Sequence, residues 1–228
     1  MKFRLCLVSI FAFLPAFAAE PEPSSPTLPT VVLLGDSIRM NYQASVVKAL
    51  KGKAVISAPK DNCGHTTNIL ENLDRWLAGQ EKAQVIHVNV GLHDMFLETK
   101  TGKPRHTLEL YEKNLRAIFA KLDELSNARV IFALTTVVNE NLQAESESYG
   151  RVVRRNEDVE TYNAKAREVA EEFEIPVNDL YGFMKKVGAD KILRPSDGIH
   201  LSPEGCDIMG NEVARVILEN LSDANSTK

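Results

Sequence analysis

Short apolar stretches alternate with longer amphipathic ones five times along this chain, and that alternation restricts the fold more than any other feature. The apolar stretches are Val31–Leu34, Lys53–Ala58, Ala83–Val90, Arg129–Val138 and Ile175–Asn178. VVLL and AQVIHVNV are nearly continuous in apolar residues, as strands buried on both faces of a sheet are. Apolar residues at helical spacing predict helices over Ile38–Leu50, from Thr66 or Thr67 to Leu77, over Leu108–Leu125, over Asn156–Glu174 and from Ser202-Pro203-Glu204 to about Asn220, with a short one at Tyr181–Val187. Strand followed by helix, repeated, calls for an α/β fold: a parallel sheet covered by helices on both faces and joined by right-handed crossovers. No internal repeat is present.

In such a sheet, sites form outside the C-terminal ends of the strands, where the strand order reverses. The chemically distinctive residues all fall at that edge. The first strand runs into Gly35-Asp36-Ser37 and then a helix. This strand–turn–helix passage presents a serine hydroxyl at the sheet edge with its own N–H at a helix N-terminus, the placement of a nucleophilic serine. The plainer alternative is that Asp36 or Ser37 only caps the helix. The loop after the second strand, PKDNCGHTT, holds Gly64. The third strand ends in Gly91-Leu92-His93-Asp94, and the fourth leads into a long polar loop, Asn139–Val153. Near the C-terminus, Asp197-Gly198-Ile199-His200 supplies a histidine base with a carboxylate three residues before it, close enough in a tight turn to bond Nδ1–H and leave Nε2 for Ser37. Donors for an oxyanion would be the Ser37 N–H, the Gly64 N–H and the His93 side chain. Arg39, Arg151, Arg154 and Arg155 are candidates for contact with substrate.

These blocks, GDS at Gly35–Ser37, the loop glycine Gly64, G-x-x-D at Gly91–Asp94 and D-x-x-H at Asp197–His200, resemble in order and spacing the four blocks of the SGNH hydrolases, the GDSL esterase superfamily. The resemblance covers roughly residues 31–220. It implies a flavodoxin-like three-layer α/β/α sandwich around a five-stranded parallel sheet. It also implies a serine esterase in which Ser37 is nucleophile and first oxyanion donor, Gly64 the second donor, and Asp197 and His200 complete the triad. One position departs: the third block of that family usually carries Asn where this chain has His93. A neutral imidazole still offers one N–H, so His93 either takes over the donor role or packs behind the hole.

The chain has 228 residues, of which 44% are hydrophobic and 25% charged, enough for one domain with a sizeable core. A net charge of −4 gives no basic patch for nucleic acid. Residues 1–19 carry Lys2 and Arg4, an apolar run and Ala16-Phe17-Ala18, the pattern of a cleaved secretory signal and too short for a membrane span. Residues 20–30 are a Pro/Ser-rich leader, 31–221 the hydrolase domain and 222–228 a polar tail. The protein is therefore expected to be secreted or periplasmic, with no stable membrane insertion after cleavage. Only Cys63 and Cys206 remain in the mature chain; a disulfide between them and two unpaired thiols both fit the sequence. His65, His87 and His106 match no metal-ligand spacing, so neither metal nor cofactor is expected. Three functions stay in view: a hydrolase of carbohydrate O-acyl or similar small acyl esters, a lysophospholipase or thioesterase, and a catalytically silent carbohydrate-binding domain.

Overall fold

The computed structural model describes residues 27–145 and 152–226; the expected signal segment and Arg151 lie outside the described residues. Strand β1, Thr30–Gly35, is buried from Val31 onward and passes through Asp36 directly into helix α1, Ser37–Ala49. β2 is Val55–Ser57, α2 Thr66–Leu77 and β3 Ala83–Asn89. A single turn, α3 (Leu92–Met95), and a two-residue strand, β4 (Leu97–Glu98), precede α4 at Leu108–Leu125. β5 is Arg129–Ala133, α5 Glu140–Glu145, β6 Val152–Val153 and α6 Asn156–Glu172. β7 (Val177–Asn178), α7 (Leu180–Val187), α8 (Ala189–Ile192) and α9 (Pro203–Ser226) complete the chain.

β1, β2, β3, β5 and β7 form one parallel sheet in the order β2-β1-β3-β5-β7. Counting those five strands alone, this is 2-1-3-4-5, the flavodoxin-like order, with its reversal between β1 and β3. Helices α1 and α9 pack together on one face, where Ser45 Oγ donates to Asp207 at 2.6 Å; α2, α4 and α6 pack on the other. Phe119 of α4 meets Phe132 of β5 and Phe173 with ring centroids 5.5 and 5.7 Å apart, closing the second face.

Several boundaries differ from the sequence expectation, each for a local reason. The fourth strand of the sheet stops at Ala133 rather than Val138, because side chains take over the backbone bonding beyond it: Thr135 N–H donates to Asn163 Oδ1 and Val138 N–H to Asn156 Oδ1. Asn156 is the first residue of α6, after Arg155 at the cap position, and its side chain brackets Val138. α2 is capped by His65, whose Nδ1 accepts from Asn68 N–H, and not by a threonine. The polar loops 96–107 and 139–153 are not structureless: they contribute α5 and a small antiparallel pair, β4 with β6. The last helix continues through Ser226, six residues past the expected end near Asn220.

His87 of β3 is fully buried, with Nε2 3.2 Å from Asn178 Nδ2, and burial pushes its imidazole down to about 3. Burial, helped by Arg154 and Arg105, brings His93 down to about 4. In the unfolded chain both bind a proton below about pH 6.5, so the unfolded state holds more protons and stability falls as the pH falls from about 6.5 toward those values. Asp36 acts in the opposite sense, because burial raises its carboxyl to about 6 and the folded state gains a proton first on acidification. Two groups against one leave a net loss on the order of 1 kcal/mol per pH unit between about pH 6 and 4. Urea unfolding midpoints should therefore drop steadily from pH 7 to pH 4, and His87→Gln should flatten that slope. A wild-type midpoint that does not move over this range would contradict the assignment of buried, neutral histidines.

Candidate functional site

The site begins with Gly35. A β-carbon there would lie 2.7 Å from both the Arg39 side chain and the Asn89 carbonyl oxygen, so only glycine lets α1 start this close to β3. Asp36 is the N-cap of α1, its Oδ1 accepting from Ile38 N–H at 2.9 Å. Because Asp36 caps, the Ser37 hydroxyl is left for other work. It lies 2.9 Å from His200 Nε2, and His200 Nδ1 lies 3.1 Å from Asp197 Oδ2. Asp197 Oδ1 accepts from the N–H groups of Ile199 and His200, both at 2.8 Å, which folds the D-x-x-H segment into a turn and aims the ring. Burial drives the Asp197 carboxyl up, but the N–H bonds from His200 and Ile199 and the imidazole outweigh it and hold the group below the usual carboxylate range. The Asp197–His200 turn is fixed from outside by Asn139 N–H, which donates to Gly198 O at 2.7 Å, and by Asn41 Oδ1, which accepts from Leu201 N–H.

A cavity of about 240 Å³ opens on Ser37 and His200. His93, Leu92 and Ile199 wall it, together with Asp36, Asn62 and Arg154. His93 comes from α3 at the C-terminal end of β3, beside the reversal of strand order. Its neutral imidazole carries a single N–H at working pH, as its depressed value requires. Asp94, next in sequence, is fully buried and turned away from the cavity's wall. It accepts from Thr66 N–H and Thr66 Oγ1 and lies 2.7 Å from His106 Nδ1, so it ties the start of α2 to the α3 turn. His106 also meets the His65 ring edge-on, and among the described residues no group of three or more His, Cys, Asp or Glu gathers as metal ligands would.

Arg154 lies in the cavity wall although only 4% of it is exposed. Gln143 brackets its backbone, accepting from its N–H at 2.9 Å and donating to its carbonyl at 2.8 Å; the guanidinium Nε donates to Leu92 O and the group sits over the Phe96 ring. Arg155 points elsewhere, lining a separate cavity with Thr99, Glu140 and Val153. Arg39 is a correction to the sequence expectation. Its side chain is buried, and its donors go to the carbonyls of Gly35, Pro59 and Asp61 and to Gln43 Oε1. It holds the loop after β2 against the start of α1 and does not line the cavity at Ser37.

That loop carries Gly64, at φ +61°, a conformation that favours glycine. Cys63 N–H donates to Gly35 O at 3.1 Å, which brings the loop to the serine turn. The Gly64 N–H, however, donates to Asn62 Oδ1 at 2.9 Å, and Asn62 rather than Gly64 faces the cavity. Asn62 escaped the sequence reading, although the Asn-x-Gly spacing of an Asx turn is a signal for it. Cys63 and Cys206 are both free thiols, and burial pushes both up from the ordinary thiol value. Among the described residues no helix is long and apolar enough to cross a membrane.

The chain matches the GDSL-like lipase/acylhydrolase family over residues 33–208, a span that includes every block named above. It is 28% identical over 206 residues to the Arabidopsis thaliana protein named GDSL esterase/lipase CPRD49, across 85% of this chain and 80% of that one. It is 26% identical over 208 residues to the isoamyl acetate-hydrolyzing esterase 1 homolog of Bos taurus, across 85% and 83%. Among solved structures, the lipase/acylhydrolase from Enterococcus faecalis superposes with a TM-score of 0.66 at 21% identity, covering 83% of this chain and 95% of that one. The acetylxylan esterase Axe2 from Geobacillus stearothermophilus does so with a TM-score of 0.60 at 18% identity, covering 84% and 93%. At these identities the structural likeness is one of fold.

Proposed function

This chain belongs to the GDSL-like lipase/acylhydrolase family and is a carboxylic ester hydrolase, and from that premise we propose that it works through an acyl-enzyme on Ser37, on small acyl esters of carbohydrates or similar alcohols. The observation that carries the mechanism is the chain of contacts from Ser37 Oγ to His200 Nε2 at 2.9 Å and from His200 Nδ1 to Asp197 at 3.1 Å. In this reading His200 takes the serine proton as Oγ attacks the ester carbonyl. The same proton then goes to the leaving alcohol, and a water activated by His200 releases the acid. Asp197 keeps the ring in the tautomer with hydrogen on Nδ1 and stabilises the imidazolium that forms. The Ser37 N–H at the start of α1, the Gly64 N–H and the His93 N–H are the proposed oxyanion donors. Export by cleavage of residues 1–19 is part of the same proposal.

The size of the cavity supports a short acyl group. At about 240 Å³ it has the size for an acetyl or propionyl ester with part of its alcohol, small for a long fatty chain. Two relatives carry names with acetyl esters in them, the isoamyl acetate-hydrolyzing esterase 1 homolog and the acetylxylan esterase Axe2, which agrees with that size. On a panel of 4-nitrophenyl esters of rising acyl length, kcat/KM should be highest at acetyl to butyryl and fall by at least about tenfold by octanoyl, a few unfavourable methylenes' worth of steric cost. Acetylated xylan and acetylated glucosides should then release acetate. A maximum at octanoyl or longer would favour the lipid-ester reading instead.

A further inference from the structure

We propose that the Asn62 side chain is an internal occupant of the oxyanion site, a carbonyl that the substrate must displace to reach the Gly64 N–H. The inference rests on the assignment of Gly64 as an oxyanion donor. Three observations on the loop after β2 lead to it. First, the Gly64 N–H already has an acceptor: Asn62 Oδ1, at 2.9 Å. Second, Asn62 stands in the wall of the cavity with Ser37 and His200, whereas Gly64 does not. Its Oδ1 thus already takes the N–H that the ester oxygen would need. Third, the backbone on both sides of Asn62 is held while its side chain is exposed. Arg39 bonds the carbonyls of Pro59 and Asp61, Cys63 N–H bonds Gly35 O, and Asn68 Nδ2 bonds Cys63 O. Among the described residues the Gly64 contact is the one hydrogen bond of the Asn62 side chain.

The chemistry of the exchange follows from what each group is. An amide oxygen and an ester carbonyl oxygen are both neutral sp² acceptors, so each satisfies the same N–H. With no substrate, Asn62 keeps the Gly64 N–H from facing the cavity unpaired. When substrate arrives, rotation of one short side chain into water frees the donor, with no movement of the pinned loop. The exchange opposes ground-state binding, because one neutral hydrogen bond must be given up for another. It does not oppose the chemical step. A developing oxyanion forms a charge-assisted bond about twice as strong as the neutral one it replaces, and by then Asn62 has already left. Removing the occupant should therefore act on KM and leave kcat alone.

The test uses Asn62→Ala and Asn62→Asp in the full chain, with 4-nitrophenyl acetate as substrate and a fluorophosphonate as active-serine probe. Asn62→Ala should lower KM about 3- to 10-fold, the range of one neutral hydrogen bond, with kcat within about twofold of wild type. Asn62→Asp keeps an acceptor on the Gly64 N–H but makes it an anion beside the oxyanion; kcat/KM should fall more than tenfold, and the loss should ease at low ionic strength's opposite, high salt. An Asn62→Ala enzyme with lower kcat would mean that Asn62 donates to the transition state or braces the loop, and would overturn the proposal. So would unchanged KM. Those outcomes differ from failure of the underlying reading, in which wild-type protein neither hydrolyses the ester nor takes the probe, and the occupant proposal falls with it.

Discussion

Ser37→Ala should abolish ester hydrolysis and leave the fold intact. The expected loss in kcat is on the order of 10⁴-fold or more, because removing one member of a Ser–His–Asp unit removes nearly all that the unit provides. Folding should be spared for a structural reason: α1 is capped by Asp36 through Ile38 N–H, and the bond that Ser37 contributes goes to His200, not to the helix. Melting temperature within a few degrees of wild type, measured on the same sample, checks that half of the result. His200→Ala should cost a similar factor, and the double variant should be little worse than either single one, since both act on one proton transfer. Turnover near the wild-type rate in purified Ser37→Ala would remove the serine from the chemistry.

His93→Ala should lower kcat about 100- to 1000-fold while KM changes much less, the signature of losing one donor to an oxyanion. The negative charge on the carbonyl oxygen develops in the transition state and hardly exists in the bound ester, so a donor to it acts on kcat. His93→Asn should recover part of the loss, as an amide also carries an N–H but is shorter than the ring this cavity is built around. Burial keeps the imidazole neutral down to about 4, so the ratio of wild-type to His93→Ala rates should be the same at pH 6 and pH 8. A residue that only packs against Phe96, whose ring centroid is 6.5 Å away, would give a different pattern: a lower melting temperature with kcat per folded molecule unchanged.

The strand–turn–helix at Val31–Ala49 was legible in the sequence because every level of it agrees. An apolar run, a glycine that the packing demands, a capping aspartate and a helical apolar stripe all point to one geometry. The Asp197–His200 turn was legible for a similar reason, since a spacing of three brings a carboxylate to its own histidine. The strand order was less legible: alternation predicts a parallel sheet and the family resemblance implies a flavodoxin-like sandwich, but the order β2-β1-β3-β5-β7 is read from the structure.

What stayed hidden depends on contacts between distant parts of the chain. Arg39 is a candidate for substrate contact in the sequence, and no local pattern reveals that carbonyls 20 and 22 residues away surround its guanidinium. The pairing of Asp94 with His106 and Thr66 spans 12 and 28 residues, which makes His106 a brace where its sequence context suggested nothing. β4 and β6, two residues each, are too short for any periodicity to register. Apolar composition extends the fourth strand through Leu134–Val138, because it does not tell a sheet from a buried coil whose N–H groups are met by asparagine side chains at Thr135 and Val138.

Mass spectrometry of the protein after fluorophosphonate treatment at neutral pH, with the adduct located by peptide mapping, tests the central claim most directly. The predicted result is one adduct per molecule, on Ser37, absent from Ser37→Ala and formed far more slowly in His200→Ala. A folded wild-type protein that takes no adduct, or takes it at another residue, would contradict an acyl-enzyme at Ser37.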